Sequence, residues 1–184
     1  TKTRITNNEA GVDGGGIYSY SNATSTIIGT QSVILHNTAT SDGGGIFSEG
    51  ITANSTITIK ENSYVSGNTA TNGHGGGIYS YSRLSSVVNV LNSTFGILED
   101  NVTAAANTAK VHGGAIYSVA SNYNQNDNST AVIASNSSIV LIQDSILSNN
   151  VAQTGAGGAI FNQSYIKAID QTHTTNTTSA SVTI

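Results

Sequence analysis

Five times the chain returns to three small residues, an isoleucine and an aromatic ring. The copies are Gly14-Gly15-Gly16-Ile17-Tyr18, Gly43-Gly44-Gly45-Ile46-Phe47, Gly75-Gly76-Gly77-Ile78-Tyr79, Gly113-Gly114-Ala115-Ile116-Tyr117 and Gly157-Gly158-Ala159-Ile160-Phe161. Nine or ten residues before each isoleucine stands an asparagine, with alanine two places later: Asn8, Asn37, Asn68, Asn107 and Asn150, followed by Ala10, Ala39, Ala70, Ala109 and Ala152. The isoleucines lie 29, 32, 38 and 44 residues apart. A motif that holds while its spacing grows describes a stack of similar turns with insertions in some of them.

Between the motifs the apolar residues alternate or run briefly, as in Ile27-Ile28, Val33-Ile34-Leu35, Ile57-Thr58-Ile59, Val87-Val88-Asn89-Val90-Leu91 and Ile139-Val140-Leu141-Ile142. These β-branched runs, bounded by Ser, Thr, Asn and Gly, read as strands, and no segment keeps a helical period over ten residues. With no helix between strands, a βαβ sheet is excluded. The common phase of the copies argues against antiparallel hairpins in a sandwich. The expected fold is all-β: a parallel β-helix of about five coils, right-handed by expectation, with residues 1–184 forming one array and about three short strands per coil.

In that fold the repeat has a physical reason. Small residues permit a tight corner at positive φ, where a Cβ would collide with adjacent coils. Ile17, Ile46, Ile78, Ile116 and Ile160 then turn inward to form the core, and the aromatics after them form an external column. Asn8, Asn37, Asn68, Asn107 and Asn150 are expected to hydrogen-bond amide to amide as a ladder that satisfies buried turns without charge. Three residues before them stand Ile5, Ile34, Val65, Ala104 and Leu147, read as core. The polar stretch from Ser121 to Thr130 reads as a loop projecting from the stack.

Composition narrows the function. Charged residues are 9% of the chain and the net charge is −4, so there is no basic footprint for nucleic acid and no polybasic segment for a membrane surface. Asn, Ser and Thr abound while Pro, Cys, Met and Trp are absent, the composition of an extracellular or cell-surface polymer held by ladders rather than disulfides. No run approaches the length of a membrane-spanning helix.

The ends match each other. Ser181-Val182-Thr183-Ile184 followed by Thr1 to Ala10 aligns without a gap on Ile139 to Ala152, setting Val182 on Val140, Ile184 on Ile142, Ile5 on Leu147 and Asn8 on Asn150. The array is thus expected to be cut in mid-coil at both ends, without capping elements. Val182, Ile184 and Ile5 would be edges at which a second copy, as a separate subunit or a tandem repeat, continues the winding.

Gly-Gly-Ala-Ile or Gly-Gly-Gly-Ile coupled to a hydrophobic-x-x-Asn element resembles the repeats of the chlamydial-type polymorphic outer membrane proteins, with their GGA(I/L/V) and FxxN motifs. Gly113-Gly114-Ala115-Ile116 and Gly157-Gly158-Ala159-Ile160 match the first motif outright. In the second, Ile5, Ile34, Val65, Ala104 and Leu147 stand where that family has Phe. The resemblance implies a surface-exposed β-helical passenger used in adhesion.

Catalytic chemistry finds no purchase. There is no Ser-His-Asp order, cysteine nucleophile, phosphate loop or zinc spacing, and no cofactor or metal site is expected. Asp13 and Asp42 share a slot before successive glycine triplets with His74 and His112; solvated turn residues are the simpler reading, weighed against a shared proton or cation. Sequons at Asn22, Asn54, Asn92, Asn101, Asn128, Asn136, Asn162 and Asn176 are candidate glycan attachment points. The expected function is a structural segment of an extracellular filament assembling head to tail. A β-helical adhesin is the alternative, and a polysaccharide-active enzyme a distant third.

Overall fold

The computed structural model describes residues 3–96, 105–122, 135–166 and 177–184. Strands are numbered along the chain. They fall into four parallel sheets, each collecting one strand from every turn. Sheet A holds β1 (Arg4–Thr6), β5 (Val33–Leu35), β9 (Tyr64–Ser66), β13 (Thr94–Gly96) and β17 (Ile146–Ser148). Sheet B holds β2 (Glu9–Ala10), β6 (Thr38–Ala39), β10 (Thr69–Ala70), β14 (Thr108–Ala109) and β18 (Val151–Ala152). Sheet C holds β3 (Ile17–Ser21), β7 (Ile46–Gly50), β11 (Ile78–Ser82), β15 (Ile116–Asn122) and β19 (Ile160–Ile166). Sheet D holds β4 (Ser25–Thr30), β8 (Asn54–Lys60), β12 (Ser85–Leu91), β16 (Ser135–Gln143) and β20 (Thr177–Thr183).

The chain runs A, B, C, D and returns to A one turn higher, so the molecule is a parallel β-helix of five turns. Each turn has four strands rather than the expected three. The additional one is the Thr-Ala pair that follows most of the ladder asparagines, only two residues long and too short to register as alternation.

Register stacks like on like. Ile17, Ile46, Ile78, Ile116 and Ile160 are partners in successive strands of sheet C, and the three middle copies are wholly buried. Sheet D contributes Ile57, Ile59, Val88, Val90 and Val140 to the same core, and sheet A contributes Ile34, Val65 and Phe95. The corner glycines divide their work. Gly14, Gly43, Gly75, Gly113 and Gly157 have φ between 65° and 73°, which L side chains rarely adopt. At the next position the limit is approach: a Cβ on Gly76 would lie 2.5 Å from the Gly114 carbonyl oxygen of the following turn. The third position accepts alanine, as at buried Ala115.

One assignment moves. Ala104 lies outside the described residues, and the core column it was assigned to runs Ile5, Ile34, Val65, Phe95, Leu147. In the fourth turn the apolar residue and its ladder asparagine are separated by an insertion. A fixed three-residue spacing from Asn107 therefore pointed at the wrong place, and the column does contain a phenylalanine.

Candidate functional site: ladders along the axis and the surfaces they present

The asparagine ladder forms as expected. Nδ2 of Asn8, Asn37, Asn68 and Asn107 donates to Oδ1 of the next copy at 2.8, 2.9, 3.0 and 2.9 Å. The same Oδ1 accepts the backbone N–H of the asparagine below, and the second Nδ2 hydrogen of Asn37, Asn68, Asn107 and Asn150 goes to the carbonyls of Ile5, Ile34, Val65 and Phe95. Every buried amide thereby closes a sheet A to sheet B corner without placing a charge inside. The amide-to-amide bonds have a direction, because each Nδ2 donates to the Oδ1 of the higher turn.

A second internal column escaped the sequence reading. Ser19, Ser25, Ser48, Ser55, Ser80, Ser86, Ser118 and Ser138 zigzag between sheets C and D as one chain of hydroxyls, neighbouring Oγ atoms 2.7 to 2.9 Å apart. It ends on Asn162, whose Oδ1 accepts from Ser138 at 2.5 Å while Nδ2 donates to the Ser138 and Ser181 carbonyls. The signal was present: the residue after each aromatic is Ser19, Ser48, Ser80, Ser118 and then Asn162. In a chain this rich in serine, the extra repeat position does not stand out.

On the outer face of sheet C the aromatics stack as expected, with ring centroids 5.0, 4.8, 5.1 and 5.1 Å apart from Tyr18 through Phe47, Tyr79 and Tyr117 to Phe161. The rings lie nearly parallel and cover one another. Phe47 is buried, whereas Tyr18 at the end of the column is 56% exposed. Burial raises the pKa of the Tyr79 and Tyr117 phenols, which stay protonated.

Beside this column runs the Asp and His slot. Asp13 accepts the backbone N–H of Asp42, Asp42 that of His74 at 2.6 Å, and His112 Nδ1 that of Ala156. At Asp13, Asp42 and His112 the slot receives the next turn's amide, whereas the buried Nδ1 of His74 has no hydrogen-bond partner among the described residues. Asp42 is not a solvated turn residue: desolvation, opposed by the His74 amide and aided by Asp13, pushes its pKa up to about 6. Burial and the stacked His112 ring, 5.2 Å away, hold His74 below the usual histidine range. Among the described residues no group of three His, Cys, Asp or Glu is placed to hold a metal ion.

The sequons separate by geometry. Asn22, Asn54 and Asn92 are exposed, Asn92 with φ of 45° in the turn after β12. Asn162 points inward and has its carboxamide engaged. Asn136 pairs through its backbone with Thr178 inside β16, while Asn101, Asn128 and Asn176 lie outside the described residues, as does most of the 121–130 stretch. Of the edge residues, Val182 is 45% and Ile184 95% exposed, and Ile5 packs partly buried against the core.

No curated protein and no solved structure matches the chain. A family model does: that of the Chlamydia polymorphic membrane protein repeat matches residues 2–20, 31–49, 57–81 and 144–163. Three of these stretches contain a glycine corner with its isoleucine and aromatic together with the preceding asparagine, and the fourth, 57–81, adds the end of β8 to the same elements. Four of the five turns thus carry stretches similar to the Chlamydia polymorphic membrane protein repeat, in a chain wound as a parallel β-helix.

Proposed function

We propose that this array is a structural, non-catalytic segment of a cell-surface protein, and that its winding is continued head to tail by further coils, from neighbouring subunits of a filament or from tandem copies. One observation carries the reading. Val140 pairs with Val182 and Leu141 with Thr183, while Ile5 stands in the same column as Leu147. A second copy's β1 placed after Ile184 therefore meets β17 at the same spacing by which β16 leads into it. The family match supports a surface location. The proposed partner is the chain itself, through Val182, Ile184 and Ile5, with no nucleic acid and no cofactor.

Negative-stain imaging of the 184-residue chain tests this. Filaments with an axial repeat of about 24 Å, five turns at roughly 4.8 Å, are expected, and Val182→Asp should abolish them while leaving the circular dichroism of a β-protein. Compact monodisperse particles from the unsubstituted chain would refute axial continuation. If those particles bound cells, the same array would serve as an adhesin stalk.

A further inference from the structure

The polar columns along the axis do not all end in the same way. The Asp and His slot stops in the fifth turn at Ala156, which has no side-chain acceptor. The hydroxyl chain stops there too, at Asn162, whose amide hydrogens are both used, and at Ala180, which stands in line with the earlier serines of sheet D. The asparagine ladder is left open at both ends. At each step the higher Oδ1 takes the backbone N–H and one Nδ2 hydrogen of the asparagine below, while the higher Nδ2 donates to a carbonyl of the lower turn. Above the fifth turn that step lacks its upper half: the Asn150 N–H, one Asn150 Nδ2 hydrogen and the carbonyl of Leu147, which follows Phe95 in its column, have no partner among the described residues. Asn8, exposed in the first turn, carries the missing half, an Oδ1 without a donor and a second Nδ2 hydrogen without a carbonyl among the described residues.

We infer that Asn150 and Leu147 at one end and Asn8 at the other form a directional lock between successive copies of this chain. The incoming copy seats its Asn8 Oδ1 on the Asn150 N–H and Nδ2, and its Asn8 Nδ2 on the Leu147 carbonyl. This rests on the head-to-tail reading proposed above and adds to it what recognises the partner and sets its orientation. Backbone edges alone do not set it, because an edge strand can pair with a parallel or an antiparallel neighbour. The amides do. An inverted copy brings up its own Asn150, whose Oδ1 is already filled by the N–H and Nδ2 of Asn107, so the donors of both copies meet no oxygen. Joined at their first turns, two copies would set two Asn8 oxygens at a contact with no donor for either. Unmade bonds of this kind are costly once water is excluded, and the filament is therefore polar.

Two measurements test the lock. The chain has no cysteine, so Thr40→Cys, exposed just after β6 in the second turn, takes a single maleimide gold cluster that marks orientation. In electron micrographs of the labelled filaments the marks should recur every ~24 Å, whereas uneven spacing that repeats only every ~48 Å would mean alternate copies are inverted and would overturn the inference. Pelleting then gives the critical concentration for assembly. Asn8→Ala removes the junction oxygen but leaves Asn37 Oδ1 its backbone donor. Its urea midpoint should stay near the parent's, and its critical concentration should rise more than about tenfold. Glu9→Ala, exposed beside it, should stay within about twofold of the parent. Filaments of Asn8→Ala at an unchanged critical concentration would overturn the lock and leave axial continuation standing. No filaments from the unsubstituted chain would overturn both.

Discussion

Asp42 shows how a stacked corner changes the chemistry of an ordinary side chain. Its carboxylate loses water to the turns on either side and keeps one backbone N–H as partner. A folded-state pKa raised from 3.8 to about 6 means that the folded chain binds a proton more tightly than the unfolded one. The associated stability is present below pH 3.8 and is lost as pH rises through about 6. His74, shifted down, works in the opposite sense and costs stability as pH falls below its ordinary range. Asp42→Asn keeps the acceptor and removes the charge. Urea melts should find it more stable than the parent near neutral pH by on the order of 1–2 kcal/mol, discounted for partial exposure, with the gap closing towards about pH 4. Geometry likewise sorts the sequons. Made in a host that glycosylates asparagine, the chain is expected to carry sugar at Asn22, Asn54 or Asn92 and none at Asn162, whose amide is committed to Ser138 and Ser181; peptide mapping by mass spectrometry reads each site.

At the scale of elements, what could be read from sequence was whatever recurs in phase. The glycine corner, the inward isoleucine, the stacked rings and the asparagine ladder all belong to one short motif with nearly constant internal spacing, so periodicity alone located them. Phe95 was hidden because an insertion separates it from Asn107, and the Thr-Ala strands because two residues carry no alternation. The serine chain was hidden by abundance: its members on sheet D, such as Ser55 and Ser86, sit in no constant relation to the glycine corner. The ladder is the element with most to lose from one substitution. Asn68→Ala leaves the Asn37 backbone N–H and one of the two Nδ2 hydrogens without an acceptor and the Ile34 carbonyl without its amide donor, all buried. A loss on the order of 2–4 kcal/mol is expected in chemical denaturation. Asn68→Asp should cost more, because it places a carboxylate against the Ile34 carbonyl and next to the Asn107 oxygen.

The whole molecule is held by repetition of these ladders, with little help from charge. Lys60 and Glu61 form the ion pair of the described side chains, and both are substantially exposed. Such a pair contributes little, and screening it changes little. Raising NaCl from about 0.05 to 1 M should therefore move the thermal midpoint by less than about 3 °C; a larger drop would mean that ionic contacts matter more than ladders and packing.

Every strand of sheets A to D pairs through its backbone only with its counterparts one turn away, so the ladder hydrogen bonds point along the axis rather than across it. A lengthwise pull loads these rungs in series, and the weakest turn parts first while the others remain wound. A sideways pull on one strand instead works against neighbours on both sides. A segment of this kind serves better as a strut, or as a tether that releases turn by turn, than as a rope.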